Sequence, residues 1–155
     1  MNLSTDHRSL QTGSTVYICL YNTLKNHANS QDYAQQNGGN LVSIHCDEQN
    51  NQIHSEFGGN KFWIGVNDLA NEGTFVNNDG TPFDYNNWRD GEPNNVNGED
   101  CVITGDNWGK EWIDTGCGGL NNRYFGMILV PNTVSGLTCV EYVGKLENQR
   151  KFKRL

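Results

Sequence analysis

The sequence predicts an α+β domain, because its helical and extended patterns are largely segregated along the chain. Two helices with capped starts are expected before residue 60, and most of the short apolar strands are expected after it. A long loop rich in turn-forming residues interrupts those strands. The 155 residues are enough for one domain with its own core.

The first elements are a strand and a short helix. Residues 16–21 are apolar and aromatic, as in a strand. Ser30 is placed to N-cap a helix that runs through Gln36, where an Asn-Gly-Gly sequence ends it. Residues 41–44 then predict a brief extended piece.

A second helix and a buried strand follow. Asp47 is expected to cap a helix over residues 48–57, where Ile53 and Phe57 lie four positions apart on one face. Residues 62–66 are apolar throughout, which indicates a buried strand.

Turn chemistry extends from residue 67 to residue 99, which is long for a compact domain. Loops of that length are usually functional or disordered, and the aromatic residues within this one favour a packed loop. Short strands are expected near residues 101–104, 111–113 and 124–130.

The charge of the chain is uneven. Before residue 131 there are 16 acidic and 6 basic side chains, and from residue 131 onward there are 2 acidic and 5 basic ones. An acidic domain argues against nucleic acid as a partner, because phosphate binding needs clustered Lys and Arg. We interpret part of the acidic excess as a place for a cation.

Neither the N-terminus nor the cysteines fix a compartment alone. Residues 1–15 are polar and expected to be frayed, and the run at 16–21 is too short for the core of an export signal. No run reaches the roughly 18 apolar residues of a membrane helix. Five cysteines leave at least one free or paired with another chain. Cys101 and Cys117 are the best candidates for a disulfide, which would indicate an oxidising compartment.

The most informative segment runs from Asp84 to Asp114 and is crowded with carboxylates and amides between tryptophans. Ca²⁺ takes six to eight oxygen ligands of these kinds. Pro93 restricts Glu92, and a cis bond between them would turn the flanking side chains toward one point. The candidate metal ligands are Asp68, Glu72, Glu92, Asn94, Asn95, Glu99, Asp100 and Asp114.

Other chemistry fits less well. An EF-hand starting at Asp90 fails, because its sixth position is Asn95 rather than Gly. Glu92 and Glu99 could form a glycosidase acid pair, but nothing in the sequence marks either as desolvated. A zinc site with standard spacing is not formed by His45, Cys46 and His54. We therefore expect a binding domain and not an enzyme.

Seven pieces of the chain resemble the C-type lectin domain, in the order of that family and across about residues 16–130. The resemblance implies two helices flanking small antiparallel sheets, with a long loop that carries calcium. The pieces begin at Gly38 (GGNLVSI), Trp63 (WIGVND), Glu72 (EGTF), Asn87 (NW), Glu92 (EPN), Glu99 (EDC) and Trp112 (WID).

By this resemblance the eight oxygen-bearing residues divide into two Ca²⁺ sites. The principal site would use Glu92, Asn94, Glu99 and Asp114, which would also bind carbohydrate. The accessory site would use Asp68, Glu72, Asn95 and Asp100. Two adjacent equatorial sugar hydroxyls would join the principal site, and the Glu-Pro-Asn form is similar to the mannose-type subgroup. Because such shallow sites bind weakly, an oligomer that raises avidity is expected.

The chain departs from the family pattern in three places. Ile113 replaces the amide of the family's Trp-Asn-Asp. Ala34 stands where the family's first disulfide begins, and the last strand lacks the partner cysteine. Cys101 and Cys117 retain the second bridge. Residues 131–155 match nothing in the domain and are left as an unassigned basic tail.

Two functions follow as expectations. The first is a secreted or extracellular calcium-dependent lectin with mannose-type preference, without nucleic acid or membrane insertion. The alternative is a calcium-stabilised C-type lectin-like domain that binds proteins and not sugars, as Ile113 favours.

Overall fold

The computed structural model describes residues 15–118 and 122–143 and contains two helices and one mixed sheet. The helices are α1 (His27–Gln36) and α2 (Asp47–Phe57). The strands are β1 (Tyr17–Lys25), β2 (Asn40–Leu41), β3 (Lys61–Asn67), β4 (Val76–Asn77), β5 (Cys101–Gly105), β6 (Trp112–Thr115), β7 (Tyr124–Val130) and β8 (Cys139–Glu141). This is the predicted α+β architecture.

The sheet runs in the order β6-β5-β3-β7-β1-β8, with β2 paired to β7 and β4 paired to β3. The β3–β7 pairing is parallel, whereas the other strand pairings are antiparallel. Every residue of β3 except Lys61 is buried, as its apolar run predicted. The long loop leaves the sheet at the end of β3 and returns at β5.

The first helix begins earlier than predicted. Asn26 is its N-cap and accepts a 2.8 Å hydrogen bond from the Asn29 amide, so Ser30 lies inside the first turn. His27 is buried, with its ring edge against Trp63. Asn and Ser both cap helices well, so the packing of residues 27–30 explains why the helix starts at Asn26 and not at Ser30.

The second helix ends where the sequence indicated, at Phe57, and both Ile53 and Phe57 are buried. Its N-cap is Cys46, so Asp47 is the first helical residue and not the cap. The Asp47 carboxylate instead accepts a 2.7 Å hydrogen bond from Tyr85 in the long loop. The helix start is thereby tied to that loop.

Residues beyond 130, which the sequence left unassigned, contribute to the fold. Strand β8 pairs with β1, and Cys19 is bonded to Cys139 directly across that pair. Tyr142 is buried and donates a 2.8 Å hydrogen bond to the Ser43 carbonyl. Residues 1–14 and 144–155 of the predicted terminal segments lie outside the described residues.

The aromatic residues of the long loop pack together. Phe75 contacts Phe83 and Trp88, and Trp88 meets Trp112 edge to face at 5.8 Å between ring centroids. Trp112 is fully buried and donates a 3.1 Å hydrogen bond to Asn50 of α2. The loop is therefore a packed part of the domain, as its aromatic content indicated.

Candidate functional site

The strand ends bring the candidate carboxylates together. Asp68 directly follows β3 and Asp100 directly precedes β5, and these strands are paired at their Asn67 and Cys101 ends. The Asp68 amide donates a 3.0 Å hydrogen bond to the Asp100 carbonyl. Asp114 lies in β6, opposite Val102 of β5. Backbone pairing thus fixes three of the acids.

Two separate groups of carboxylates result, and we name them by the acids they contain. The DED cluster consists of Asp68, Glu72 and Asp100, and the EED cluster consists of Glu92, Glu99 and Asp114. Within each cluster the ligand oxygens all lie within 4.8 Å of one another. These are the acids that the resemblance assigned to the accessory and principal sites, respectively.

The loop before β5 is held onto Asp114. The backbone amides of Asn94 and Asn95 donate hydrogen bonds of 3.0 and 2.8 Å to its two carboxylate oxygens. The Asn94 side chain donates to Glu92 at 3.1 Å and accepts from the Val96 amide. The Glu92–Pro93 peptide bond is cis. Asn94 therefore lies beside the EED cluster and is hydrogen-bonded to two of its acids.

Asn95 differs from the other predicted ligands. It is exposed and has a positive φ of 52°, and its backbone amide donates to Asp114 of the EED cluster while its carbonyl accepts from the Gly98 amide. The resemblance had assigned its side chain to the other site. The DED cluster contains the three acids of that site, and the place of the Asn95 side chain among them stays a prediction.

Crowding disfavours the ionised acids. Burial, followed by hydrogen bonding and charge repulsion with Asp114, raises the pKa of Glu92 to about 7. Loss of hydration together with Asp68 and Asp100 raises the pKa of Glu72 to about 7, although most of that residue faces solvent. The pKa values of Glu99 and Asp100 are also raised, mainly by burial. A cation would remove this penalty in both clusters.

The donor sets fit a calcium ion. Three buried carboxylate oxygens have no hydrogen-bond partner among the described residues: Asp68 Oδ1, Asp100 Oδ1 and Glu92 Oε1. Asp68 is only 2% exposed, and its other oxygen accepts a 2.8 Å hydrogen bond from the Gly73 amide. A buried anionic oxygen without a donor is costly. Hard oxygen donors at this spacing are the ligands that Ca²⁺ prefers.

The two histidines of the zinc hypothesis have other partners. His45 Nδ1 lies 2.6 Å from Asp84 Oδ1, and His54 Nε2 lies 3.1 Å from the Thr104 hydroxyl. Cys46 is a half-buried free thiol. Neither cluster of potential metal ligands in the described part of the chain includes any of these three residues.

Both described disulfides lie in the sheet region. The Cys101–Cys117 bond expected from the resemblance is formed, and it links β5 to the segment after β6. The Cys19–Cys139 pairing was left open by the sequence.

Neither helix in the described part of the chain has the length and the apolar character that a membrane span needs.

Comparison with known proteins identifies the family. The description "Lectin C-type domain" matches residues 23–124, and the chain belongs to this family. It is 32% identical over 120 residues to a tetranectin-like protein of Carcharhinus perezii, covering 74% of this chain and 71% of that protein. It is 42% identical over 80 residues to the mouse low affinity immunoglobulin epsilon Fc receptor, covering 51% of this chain and only 24% of the receptor.

Solved structures agree on the fold. The cow C-type carbohydrate-recognition domain of CD23, determined with a GlcNAc2Man3 oligosaccharide, superposes with a TM-score of 0.68 at 26% identity, covering 86% of this chain and 100% of that one. A calcium-independent type II antifreeze protein superposes with a TM-score of 0.67 at 24% identity, covering 76% and 86%, and shares the fold alone. The C-type lectin domain family to which the chain belongs is non-enzymatic.

Proposed function

We propose that the chain is a calcium-dependent carbohydrate-binding lectin with mannose-type preference. The observation that carries the proposal is the set of buried, unpartnered carboxylate oxygens on Asp68, Asp100 and Glu92. Such oxygens are compatible with a stable fold when a cation supplies their missing partner. The principal site would use Glu92, Asn94, Glu99 and Asp114, and the accessory site would use Asp68, Glu72, Asn95 and Asp100.

The sugar would be recognised at the EED cluster. A bound Ca²⁺ would supply positive charge to two adjacent equatorial hydroxyls of the sugar. Glu92 and Glu99 would accept hydrogen bonds from those hydroxyls. The Asn94 amide, which has one N–H engaged with Glu92, would donate its second N–H. The Glu-Pro-Asn order at residues 92–94 supports the mannose-type assignment.

The disulfides support a cellular location for the chain. Four of the five cysteines are in disulfides, which supports a secreted or extracellular location. We place the chain among family members without the first bridge, because Ala34 occupies its position. A shallow single site favours clustering into an oligomer for avidity.

Two measurements test this function. Isothermal titration is expected to detect Ca²⁺ binding at two sites, and mannose resin is expected to retain the protein in millimolar Ca²⁺ and release it in EDTA. Galactose resin is the matched control and should retain less. Absence of calcium binding would overturn the proposal, whereas calcium binding without sugar retention would favour the second candidate below.

The second candidate is a calcium-stabilised interaction domain without sugar binding. Ile113 favours it, because this half-buried side chain packs against the core group that includes Cys101 and Ile103, and carries no oxygen for a cation or a sugar. The variant Ile113→Asn separates the two candidates. If it creates mannose retention that the native chain lacks, the native chain is of the second kind.

A further inference from the structure

A relay of three side-chain amides connects helix α1 to the DED cluster. Gln31 Oε1 accepts a 2.9 Å hydrogen bond from Asn78 Nδ2. Asn78 Oδ1 accepts from Asn67 Nδ2 at 2.5 Å. Asn67 Oδ1 accepts from the Leu69 amide at 3.2 Å. The relay therefore ends on the residue that follows Asp68.

The direction of every amide in the relay is determined. The Leu41 amide donates to Gln31 Oε1 at 2.9 Å, and a backbone N–H can only donate. Gln31 must therefore present its oxygen to Asn78, which must present nitrogen to Gln31 and oxygen to Asn67. Asn67 is left with its oxygen toward Leu69, whose backbone N–H is again only a donor. Both ends require the same orientation of all three amides.

This relay acts on the backbone that carries a cluster acid. Asp68 lies between Asn67 and Leu69, so the Asn67–Leu69 hydrogen bond fixes the turn at its Cα. The Asp68 amide bonds to the Asp100 carbonyl, and Asp68 Oδ2 accepts from the Gly73 amide. With these contacts in place, Asp68 Oδ1 is the buried oxygen that stays without a donor.

We propose that Gln31 and Asn78 are positioning residues for calcium at the DED cluster, acting through Asn67. This inference rests on the proposed calcium binding. Neither residue belongs to a predicted ligand set. Their role is to hold the turn that aims Asp68, so that little reorganisation is needed when the ion binds. Partners that orient metal ligands in this way typically change affinity by about 10–100-fold when they are removed.

The test uses calcium titration with the clusters separated. In a Glu92→Gln background, which disables the EED cluster, Gln31→Met and Asn78→Ala are expected to weaken Ca²⁺ binding by about tenfold or more. In a Glu72→Gln background the same changes should leave affinity at the EED cluster unchanged. Gln36→Met is the matched control, since Gln36 is exposed on the same helix.

A conservative variant distinguishes positioning from simple structural loss. Gln31→Glu keeps the oxygen that accepts from Leu41 and Asn78, and the Asn40 amide can rotate to donate to it. It is expected to restore native affinity. In metal-free protein, amide hydrogen exchange at Leu69 should accelerate in Gln31→Met and return to the native rate in Gln31→Glu.

The outcomes separate the two proposals. A native chain that binds no Ca²⁺ overturns the proposed function and this inference with it. Native calcium binding with unchanged affinity in Asn78→Ala overturns the inference alone. Equal weakening at both clusters, together with a lower melting temperature in EDTA, would also overturn it, because that pattern indicates general loss of structure.

Discussion

At the scale of single residues, Asp68 and Asp100 destabilise the metal-free fold but are suited to bind a cation. Each has a buried oxygen without a donor, and the two carboxylates raise the cost of ionising Glu72 between them. A fold that holds anions together in this way is less stable without a counter-ion than with one. The acids therefore lower the stability of the metal-free protein and raise it once a cation binds.

The variant Asp100→Asn should stabilise the metal-free protein and reduce the stabilisation by Ca²⁺. It removes one negative charge and gives the neighbouring carboxylate a donor, so the melting temperature in EDTA is expected to rise while the increase on adding Ca²⁺ shrinks. Thermal melts in both conditions provide the measurement. Asp90→Asn, an exposed acid of the same loop outside both clusters, should change neither quantity. A lower melting temperature for Asp100→Asn in EDTA would contradict the explanation.

A second residue-scale prediction concerns His27. Burial lowers its pKa from 6.5 to about 4. The unfolded chain therefore takes up the proton first as pH falls, so the stability contributed by neutral His27 is present above 6.5 and is lost as pH approaches 4. The difference in pKa corresponds to about 3 kcal/mol.

Denaturant unfolding of native protein and His27→Phe between pH 7 and pH 4 measures this effect. The difference in unfolding free energy between the two proteins should change by about 3 kcal/mol in favour of the variant at the acid end. Comparing two proteins cancels the opposite contribution of the acidic clusters, which is common to both. A constant difference across this range would exclude His27 as the source.

At the scale of elements, β8 shows what a short strand gains from a covalent bond. Its three residues pair with β1, and Cys139 joins Cys19 across 120 positions of sequence. Gln52 of α2 also binds this segment, donating to the Glu141 carbonyl and accepting from the Val143 amide. The segment is attached to both a strand and a helix.

Removing that bond should be costly. Cys139→Ser is expected to lower the unfolding free energy by about 2–5 kcal/mol, because the unfolded chain regains the freedom of a long loop. Cys46→Ser is the matched control, since Cys46 forms no disulfide in the described structure. Denaturant titration of both variants in EDTA separates this effect from calcium binding. An equally large loss in the Cys46→Ser control would contradict the assignment of this cost to the disulfide.

At the scale of the whole molecule, calcium is expected to stabilise the folded state. An ion bound only by the native state adds about 2.7 kcal/mol at a concentration one hundred times its dissociation constant. The melting temperature is therefore expected to rise with Ca²⁺. Mg²⁺ should raise it less at equal concentration, because it demands a smaller octahedral site and retains its water. Identical melting curves with and without Ca²⁺ would contradict this prediction.

The sequence predicted the architecture for physical reasons. Phe57 ends a helix followed by two glycines, and residues 62–66 are continuously apolar, so both elements are set locally. Asp68 and Asp100 flank strands, so pairing those strands is enough to bring them together. Local patterns thus predicted most of the fold, whereas the division of the acids into two clusters came from the resemblance to the family.

What the sequence could not indicate depends on contacts between distant segments. Gln31 and Asn78 are uncharged amides outside every motif, and Asn67 lies in the WIGVND piece without an assigned role, so only the folded chain joins the three. The helix start at Asn26 depends on burying His27 against Trp63. Strand β8 is three residues long and lacks a strong apolar run, so its pairing with β1 was not visible.

The antiparallel pairing of β1 with β8 has a mechanical consequence. Tyr17 lies opposite Glu141, and Cys19 lies opposite Cys139. A pulling force applied at these two strand ends meets the disulfide within two residue pairs. The load would pass from one strand to the other through that covalent bond. The segment between the two cysteines, which includes the loop bearing the acids, would carry none of it.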